Sequence, residues 1–292
     1  MSRAIGRRAS PAVLPRFREH TPVESYAMGR RRVFVKREDL YGVAPAPPLA
    51  KLRGLRRVLA AAQDRGVRLV GCWDTRISLL GLGLAACCGE FAKMRCIVSY
   101  PMGKGDVTPR AAELANALGA ELLPVPAARL NICFAAARKQ IEARGGWMLP
   151  FGLECPEAVA AIAGEAAGVD PEFYARGTIV LSCGSGVTLS GLLRGLTGKP
   201  KRIVGISSGR SRDNILRTVR RHIRDIPSTV ELHDAETPYR FALSYPCPFP
   251  TSPNYDLKAW KFLVENLPAL PRPVLFWNIG AALPAVATPR SQ

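Results

Sequence analysis

The chain of 292 residues has only three histidines, at 20, 222 and 233, and its eight cysteines include no Cys-x-x-Cys pair. Zinc sites need closely spaced thiolates and imidazoles, so no metal centre is expected. No apolar run reaches the roughly 18–20 residues that span a bilayer. The basic start, with Arg3, Arg7 and Arg8, is not followed by an apolar core. Neither a membrane span nor a secretory leader is therefore expected, and the cysteines read as reduced thiols in a cytoplasmic protein. Acidic residues are the other scarcity: 23 Asp and Glu stand against 41 Lys and Arg, a formal net charge of +18. With 48% hydrophobic residues the chain has material for a substantial core, divided over two lobes at this length.

A surplus of this size repels itself in the compact state and is not required for handling a small metabolite, so a polyanionic partner is one reading. Basic residues concentrate in Arg3 to Arg18, Arg30-Arg31-Arg32, Arg53-Arg56-Arg57 and Lys199 through Arg224. In the last stretch Arg210, Arg217, Arg220, Arg221 and Arg224 include spacings of three and four, which align along one helix face. Arginine outnumbers lysine, which suits bidentate contacts to phosphate. The alternative is a set of solvated faces with no partner.

Residues 1–24 are polar, basic and proline-containing and predict an extended arm. Arg32 to Val35 predicts a strand and Leu49 to Arg65 a helix, with apolar residues at Leu52, Leu55, Val58 and Leu59. Strand and helix patterns then alternate: strand 68–72, helix 77–88, strand 94–100, helix 108–118, strand 121–125, helix 130–144. A helix over 156–168, a strand over 178–181 and a strand over 202–207 follow. Residues 226–254 are proline-rich and predict loop, 255–265 a helix, 274–278 a buried strand, and the last dozen residues a frayed end. This rhythm implies an α/β protein with open, mainly parallel sheets covered by helices.

Chemistry concentrates first in Ser182-Cys183-Gly184-Ser185-Gly186-Val187-Thr188, between the apolar run Thr178 to Leu181 and the apolar pair Leu192-Leu193. A glycine-rich turn at a helix start binds phosphate, because its N–H groups point outward and the helix dipole favours an anion. Gly184 and Gly186 permit close approach, and Ser185 and Thr188 offer hydroxyls. The segment lacks the Lys-Ser/Thr of a P-loop and the spacing of a dinucleotide fingerprint.

Three segments in order, Lys36-Arg37-Glu38-Asp39-Leu40 leading to Lys51, the turn at 183–188, and Ser252-Pro253-Asn254-Tyr255-Asp256-Leu257-Lys258, resemble the fold type II (tryptophan-synthase-β-like) pyridoxal 5'-phosphate (PLP) enzymes. The likeness is strongest to the branch of aminocyclopropane-carboxylate (ACC) deaminase and D-cysteine desulfhydrase, and spans about residues 24–281. It implies a larger cofactor-binding domain, residues 1–53 and 151–292, a smaller α/β domain, residues 54–150, and a cofactor between them. It further implies that Lys51 carries PLP, that Cys183, Gly184, Ser185, Gly186, Val187 and Thr188 cradle its phosphate, and that Asp256 faces the pyridine nitrogen. A desolvated lysine amine can deprotonate and condense with an aldehyde, and a carboxylate beside that nitrogen makes the ring a stronger electron sink. Tyr255 matches a substrate-facing tyrosine. Lys36 competes for the cofactor but lies within a strand. Asp256 also reads as a carboxylate at a helix N-terminus. Members are commonly dimers, so a homodimer is a further expectation.

Departures from the pattern bear on the reaction. Where members carry Ser-Asn-His to hold the substrate carboxylate, this chain has Thr75-Arg76-Ile77; Ala50 replaces the asparagine before the lysine, and Val187 replaces a cradle glycine. Thr75 and Arg76 are thus expected at an altered substrate site. Relatives in bacterial viruses finish amino-acid-modified thymines in DNA, which would place the protein in the host cytoplasm. Altered site and positive charge together favour decarboxylation of a glycyl group on thymine to an aminoethyl base, in DNA, with the base extruded into the cleft. A deaminase, desulfhydrase or dehydratase of a free small amino acid is the alternative, and a non-catalytic DNA-binding protein on this scaffold is the third.

Overall fold

The structure, a computed structural model, describes residues 16–283. Its strands are β1 (Arg16–Phe17), β2 (Val23–Met28), β3 (Arg31–Arg37), β4 (Gly42–Val43), β5 (Leu69–Trp73), β6 (Arg95–Met102), β7 (Glu121–Pro126), β8 (Trp147–Met148), β9 (Thr178–Cys183), β10 (Arg202–Ser207), β11 (Val230–Asp234) and β12 (Val274–Asn278). Its helices are α1 (Lys51–Asp64), α2 (Leu80–Cys88), α3 (Arg110–Ala117), α4 (Leu130–Glu142), α5 (Pro156–Ala167), α6 (Val187–Gly195), α7 (Arg212–His222) and α8 (Asp256–Asn266).

Two open sheets organise the molecule. The larger has the order β11-β10-β9-β12-β3-β2 and is parallel except for the β2–β3 pair. The smaller, β7-β6-β5-β8, is wholly parallel and contained in residues 69–148. Helices cover the parallel strands, so β5, β9 and β12 are buried along their whole length and read as unbroken apolar runs. The edge strand β2 alternates between half-buried and exposed. Helix α1 packs on both α2 and α5, linking the two sheets; the boundary drawn at residue 53 falls inside it.

Several expectations are corrected. The arm does not extend to residue 24: Arg16–Phe17 pairs with Gly42–Val43, and Val23 opens β2. Its residues 1–15 lie outside the described residues, as does the expected frayed end beyond residue 283. The segment over 226–254 is not all loop: its Val-Glu-Leu-His-Asp stretch, whose alternation is a strand pattern, forms β11 at the edge of the large sheet. The helix expected from Ile77 begins at Leu80, because the Asp74 carboxylate and the Ser78 hydroxyl hold the preceding residues as a turn through the N–H groups of Thr75 and Leu80. Arg210 precedes α7 and Arg224 follows it, so neither belongs to a helical basic face.

The charged motif at Lys36 to Asp39 is a buried ion-pair network. Lys36 Nζ pairs with Glu165 of α5, Arg37 grips Asp39 through two nitrogens at 2.9 and 2.8 Å, and Glu38 accepts from Arg53 at 2.9 Å. Burial pushes the Glu165 carboxyl up, but the Lys36 hydrogen bond and charge, the Thr21 N–H and Arg53 outweigh it and hold the group at about 2. Lys36 is therefore committed to the fold.

Candidate active site

Strands β5, β9 and β12 all end at one cavity of about 330 Å³. Clefts at the carboxyl ends of parallel strands collect functional groups from different loops, and 300–1,000 Å³ is the range of small-molecule sites.

Lys51, the first residue of α1, lines the cavity. The preceding residue is tied to the end of β12, the Ala50 N–H donating to the Ile279 carbonyl at 2.8 Å. Among the described residues Lys51 Nζ makes no hydrogen bond or ion pair. Burial lowers its pKa, and the Arg210 charge acts in the same direction against the opposing pull of Asp74, Glu154 and Asp256. Its place at the positive end of the α1 dipole also disfavours the ammonium.

The glycine-rich turn joins β9 to α6. Gly186, the N-cap of α6, has φ +93°, a left-handed conformation suited to glycine. A Cβ at Gly184 would meet nothing within 4 Å, so space is open beside that backbone. Cys183, Gly184, Ser185, Gly186 and Thr188 line the cavity. Val187 does not; its side chain is buried in the core, leaving only backbone for a ligand. Burial pushes the Cys183 thiol up to about 12, which keeps it protonated and inert.

Asp256 opens α8 and is 2% exposed. Its Oδ1 accepts the Ile279 N–H at 3.1 Å, so one short segment fastens both Asp256 and Lys51. Burial raises its pKa to about 7; hydrogen bonds from Ile279 and Gly280 oppose the rise and the Asp39 charge adds to it. Tyr255, beside it, also lines the cavity, and burial followed by the influence of Tyr239, Asp74 and Asp256 pushes its phenol up, so it remains a proton donor across the physiological range.

The third wall is the turn before α2. Arg76 lines the cavity there, with its guanidinium held by Asp106 Oδ2 and the Val107 carbonyl, each at 3.0 Å. Thr75 is not part of the lining; its Oγ1 is buried with no partner among the described residues. Sequence reasoning missed Asp74, whose Oδ2 accepts the Gly81 N–H at 2.6 Å and whose Oδ1 accepts the Thr75 N–H at 3.1 Å. Burial lifts its pKa to about 6, with Ser78, those two N–H groups and Lys51 opposing. The only sequence signal was an Asp at the end of a buried apolar run, seven residues before a glycine. Arg210, read as part of a basic surface, instead pairs with Glu154 and lies over the Phe151 ring at 4.7 Å to its centroid.

No family model matches the chain. It is 32% identical over 281 residues to the glycyl-dTMP PLP-dependent decarboxylase of Pseudomonas phage M6, an alignment covering 89% of this chain and 98% of that protein. The chain belongs to this decarboxylase family. Its fold matches solved structures of an ACC deaminase homologue (TM-score 0.71, 19% identity, 90% of each chain) and of O-ureido-L-serine synthase (TM-score 0.60, 14% identity, 90% and 89%). It also matches a hydrogen sulfide-producing enzyme of Fusobacterium nucleatum (TM-score 0.59, 12% identity, 90% and 93%). The decarboxylase is thus a PLP-dependent enzyme on a fold type II scaffold, and PLP is its cofactor.

The residues present fit that group: a depressed-pKa amine, a glycine-rich turn at a helix N-terminus with open space at Gly184, and a buried carboxyl share one cavity. Gly184→Val is expected to keep the thermal stability of the parent, because the new side chain points into open space, and to weaken PLP binding at least ~10-fold. Equilibrium titration of the absorbance change checks this.

Proposed function

We propose that the enzyme decarboxylates a glycyl group carried on the methyl carbon of thymidylate within DNA. The α-carboxylate leaves as CO₂, a proton takes its place on Cα, and the base becomes an aminoethyl base. The observation that carries this reading is the convergence of Lys51, the glycine-rich turn before α6 and Asp256 on one cavity, in a chain belonging to the decarboxylase family.

Lys51 is assigned to bond the cofactor's aldehyde carbon, the backbone of residues 183–188 with the Ser185 and Thr188 hydroxyls to hold its phosphate, and Asp256 to face its pyridine nitrogen. When bound, PLP supplies a ring that accepts the electron pair left at Cα as CO₂ departs. A neutral Lys51 Nζ can take a proton from the incoming ammonium. Lys51 Nζ and the Tyr255 hydroxyl are the two groups suited to hand a proton to Cα. Arg76 is assigned to a negative group of the substrate at the cavity wall, with Thr75 behind it. Held by Asp106, Arg76 is fixed in direction, which favours orientation over a loose charge contact.

DNA as the carrier is supported by the net charge of +18 and by α7. That helix packs against α6, which starts at the phosphate-binding turn, and exposes Arg212, Arg217, Arg220 and Arg221. Nucleic-acid binding through such cations weakens steeply with salt.

The test supplies PLP-loaded enzyme with glycyl-dTMP as the free nucleotide and as a residue in an oligonucleotide, and measures CO₂ loss by mass spectrometry of the digested products. Turnover of the oligonucleotide with a KM that rises steeply with salt is expected. Turnover of the free nucleotide alone removes DNA from the assignment, and deamination in place of decarboxylation sinks the reaction.

Asp256 has a testable pH signature. A carboxyl whose folded pKa is about 7 binds its proton more tightly in the folded state, so its contribution is lost as pH rises from about 4 through 7. Cofactor-free Asp256→Asn is expected to lose less stability between pH 5 and pH 8 than the parent, measured by denaturant midpoints. Its decarboxylation rate is expected to fall by about 10²-fold or more, as the ring nitrogen loses its anionic partner.

A further inference from the structure

The segment after β11 returns over the carboxyl edge of the large sheet and forms a turn that the assignments above leave unused. The Phe241 N–H donates to the Pro238 carbonyl at 3.0 Å, closing Pro238-Tyr239-Arg240-Phe241. Three bonds fasten this turn to the cavity wall and α8: Asn254 Nδ2 to the Tyr239 carbonyl at 2.8 Å, Lys258 Nζ to the Pro238 carbonyl at 2.8 Å, and the Leu243 N–H to the Pro253 carbonyl at 2.9 Å. Pro253 and Asn254 both line the cavity. Tyr239 lies with its ring centroid 6.3 Å from that of Tyr255 and also against Gly209, where an added Cβ would stand 3.4 Å from the ring. The turn therefore stands at the rim, tied down at its base.

Its tip carries Phe241, 52% exposed, with the Arg240 guanidinium 4.8 Å from the ring centroid. Among the described Phe, Tyr and Trp residues Phe241 is the one that is exposed. The other described Phe, Tyr and Trp rings are buried or half-buried, so this phenylalanine stands in water beside a cation on a fastened turn. Aromatic faces paired with arginine are the elements that hold unstacked bases and their phosphates.

We propose that Phe241 stacks on the base adjoining the modified thymidylate, with Arg240 against the phosphate between them. This rests on the reading of the cavity as a site for thymidylate in DNA. When one base is drawn into a cavity its neighbour loses a stacking partner, and a ring at the rim replaces it. The net charge of +18 supplies complementarity to the backbone, and the cation of Arg76 lies on the wall formed by the small-sheet elements.

The test measures binding of an unmodified, thymidine-containing single-stranded oligonucleotide to the PLP-loaded enzyme by fluorescence anisotropy. Phe241→Ala is expected to raise Kd roughly 5- to 100-fold, and Phe241→Trp to restore it. Arg240→Ala is expected to flatten the dependence of log Kd on log salt by about one ion. Ile132→Ala, at an equally exposed apolar residue on α4, leaves Kd unchanged. Equal affinity for parent and Phe241→Ala overturns the proposal, as does absence of oligonucleotide binding by the parent. Decarboxylation of glycyl-dTMP, free and within the oligonucleotide, is assayed in parallel: turnover of the oligonucleotide with equal affinity of parent and Phe241→Ala confines the failure to the rim, turnover of the free nucleotide with no oligonucleotide binding removes DNA as the carrier, and turnover of neither faults the reading of the cavity itself.

Discussion

Lys51→Ala is expected to lose borohydride-fixable attachment of PLP and to lower the decarboxylation rate by at least about 10²–10⁴-fold, the range associated with removing a positioned proton-transfer group. The expectation follows from the condition of the amine. Burial and the Arg210 charge disfavour its ammonium form, and among the described residues no acceptor holds it, so the amine facing the cavity is biased toward its neutral, nucleophilic form. Lys36 and Lys258 are poor substitutes, the first locked to Glu165 and the second donating to the Pro238 carbonyl. Borohydride treatment of the PLP-loaded parent, followed by peptide mass mapping, should place the added mass on Lys51. Cofactor fixed in Lys51→Ala would mean that another lysine has that role. Lys51→Arg is expected to behave like the alanine variant, because a guanidinium stays charged and does not condense with an aldehyde.

The largest effect on stability is expected from Glu165→Ala, about 3–5 kcal/mol, because it strands the Lys36 ammonium in the interior. Both residues are 3% exposed. Glu165 also accepts the Thr21 N–H at 3.1 Å and pairs with Arg53 at 3.2 Å, so one substitution opens several bonds. The parent should carry an acid sensitivity that the variant lacks. A carboxyl held at about 2 contributes fully above the ordinary glutamate range and is lost as pH falls from about 4.5 toward 2. Denaturant midpoints at pH 3 and pH 7 separate the cases; a Glu165→Ala midpoint within about 1 kcal/mol of the parent at pH 7 would show that the network holds little of the fold.

The chemistry legible in the sequence was the chemistry written locally. A buried run, a glycine turn and a helix start are contiguous, so residues 183–188 were readable as a strand-to-helix turn, and all of them but Val187 line the cavity. Lys51 and Asp256 were reached through resemblance, since nothing in their own neighbourhoods marks a reactive amine or a carboxyl with a pKa near 7. Asp74 escaped because its role depends on Gly81 returning under the end of β5, where an added Cβ would stand 2.9 Å from the carboxylate. Arg210 was grouped with a basic surface because a run of charges does not reveal which member turns inward; the partner that decides it, Glu154, lies 56 residues upstream. The strands β2 and β11 escaped for a common reason. Each is an outermost strand of the large sheet, paired on one side only, so its burial pattern is diluted toward that of a loop.

The position of β12 has a consequence for assembly. The large sheet is made of β2 and β3 from the start of the chain and β9 to β11 from its second half, and residues 274–278 are the strand that joins the two sets. Pairing Leu275 with Phe34 closes a loop of more than two hundred residues, whereas the small sheet draws on residues 69–148 alone. Contacts so distant in sequence form late and slowly. During synthesis the small sheet can settle first, while β3 and β9 wait with bare edges for the strand that belongs between them. Such edges pair readily with other chains, so a polypeptide interrupted before residue 274 would present two adhesive borders in place of a finished sheet.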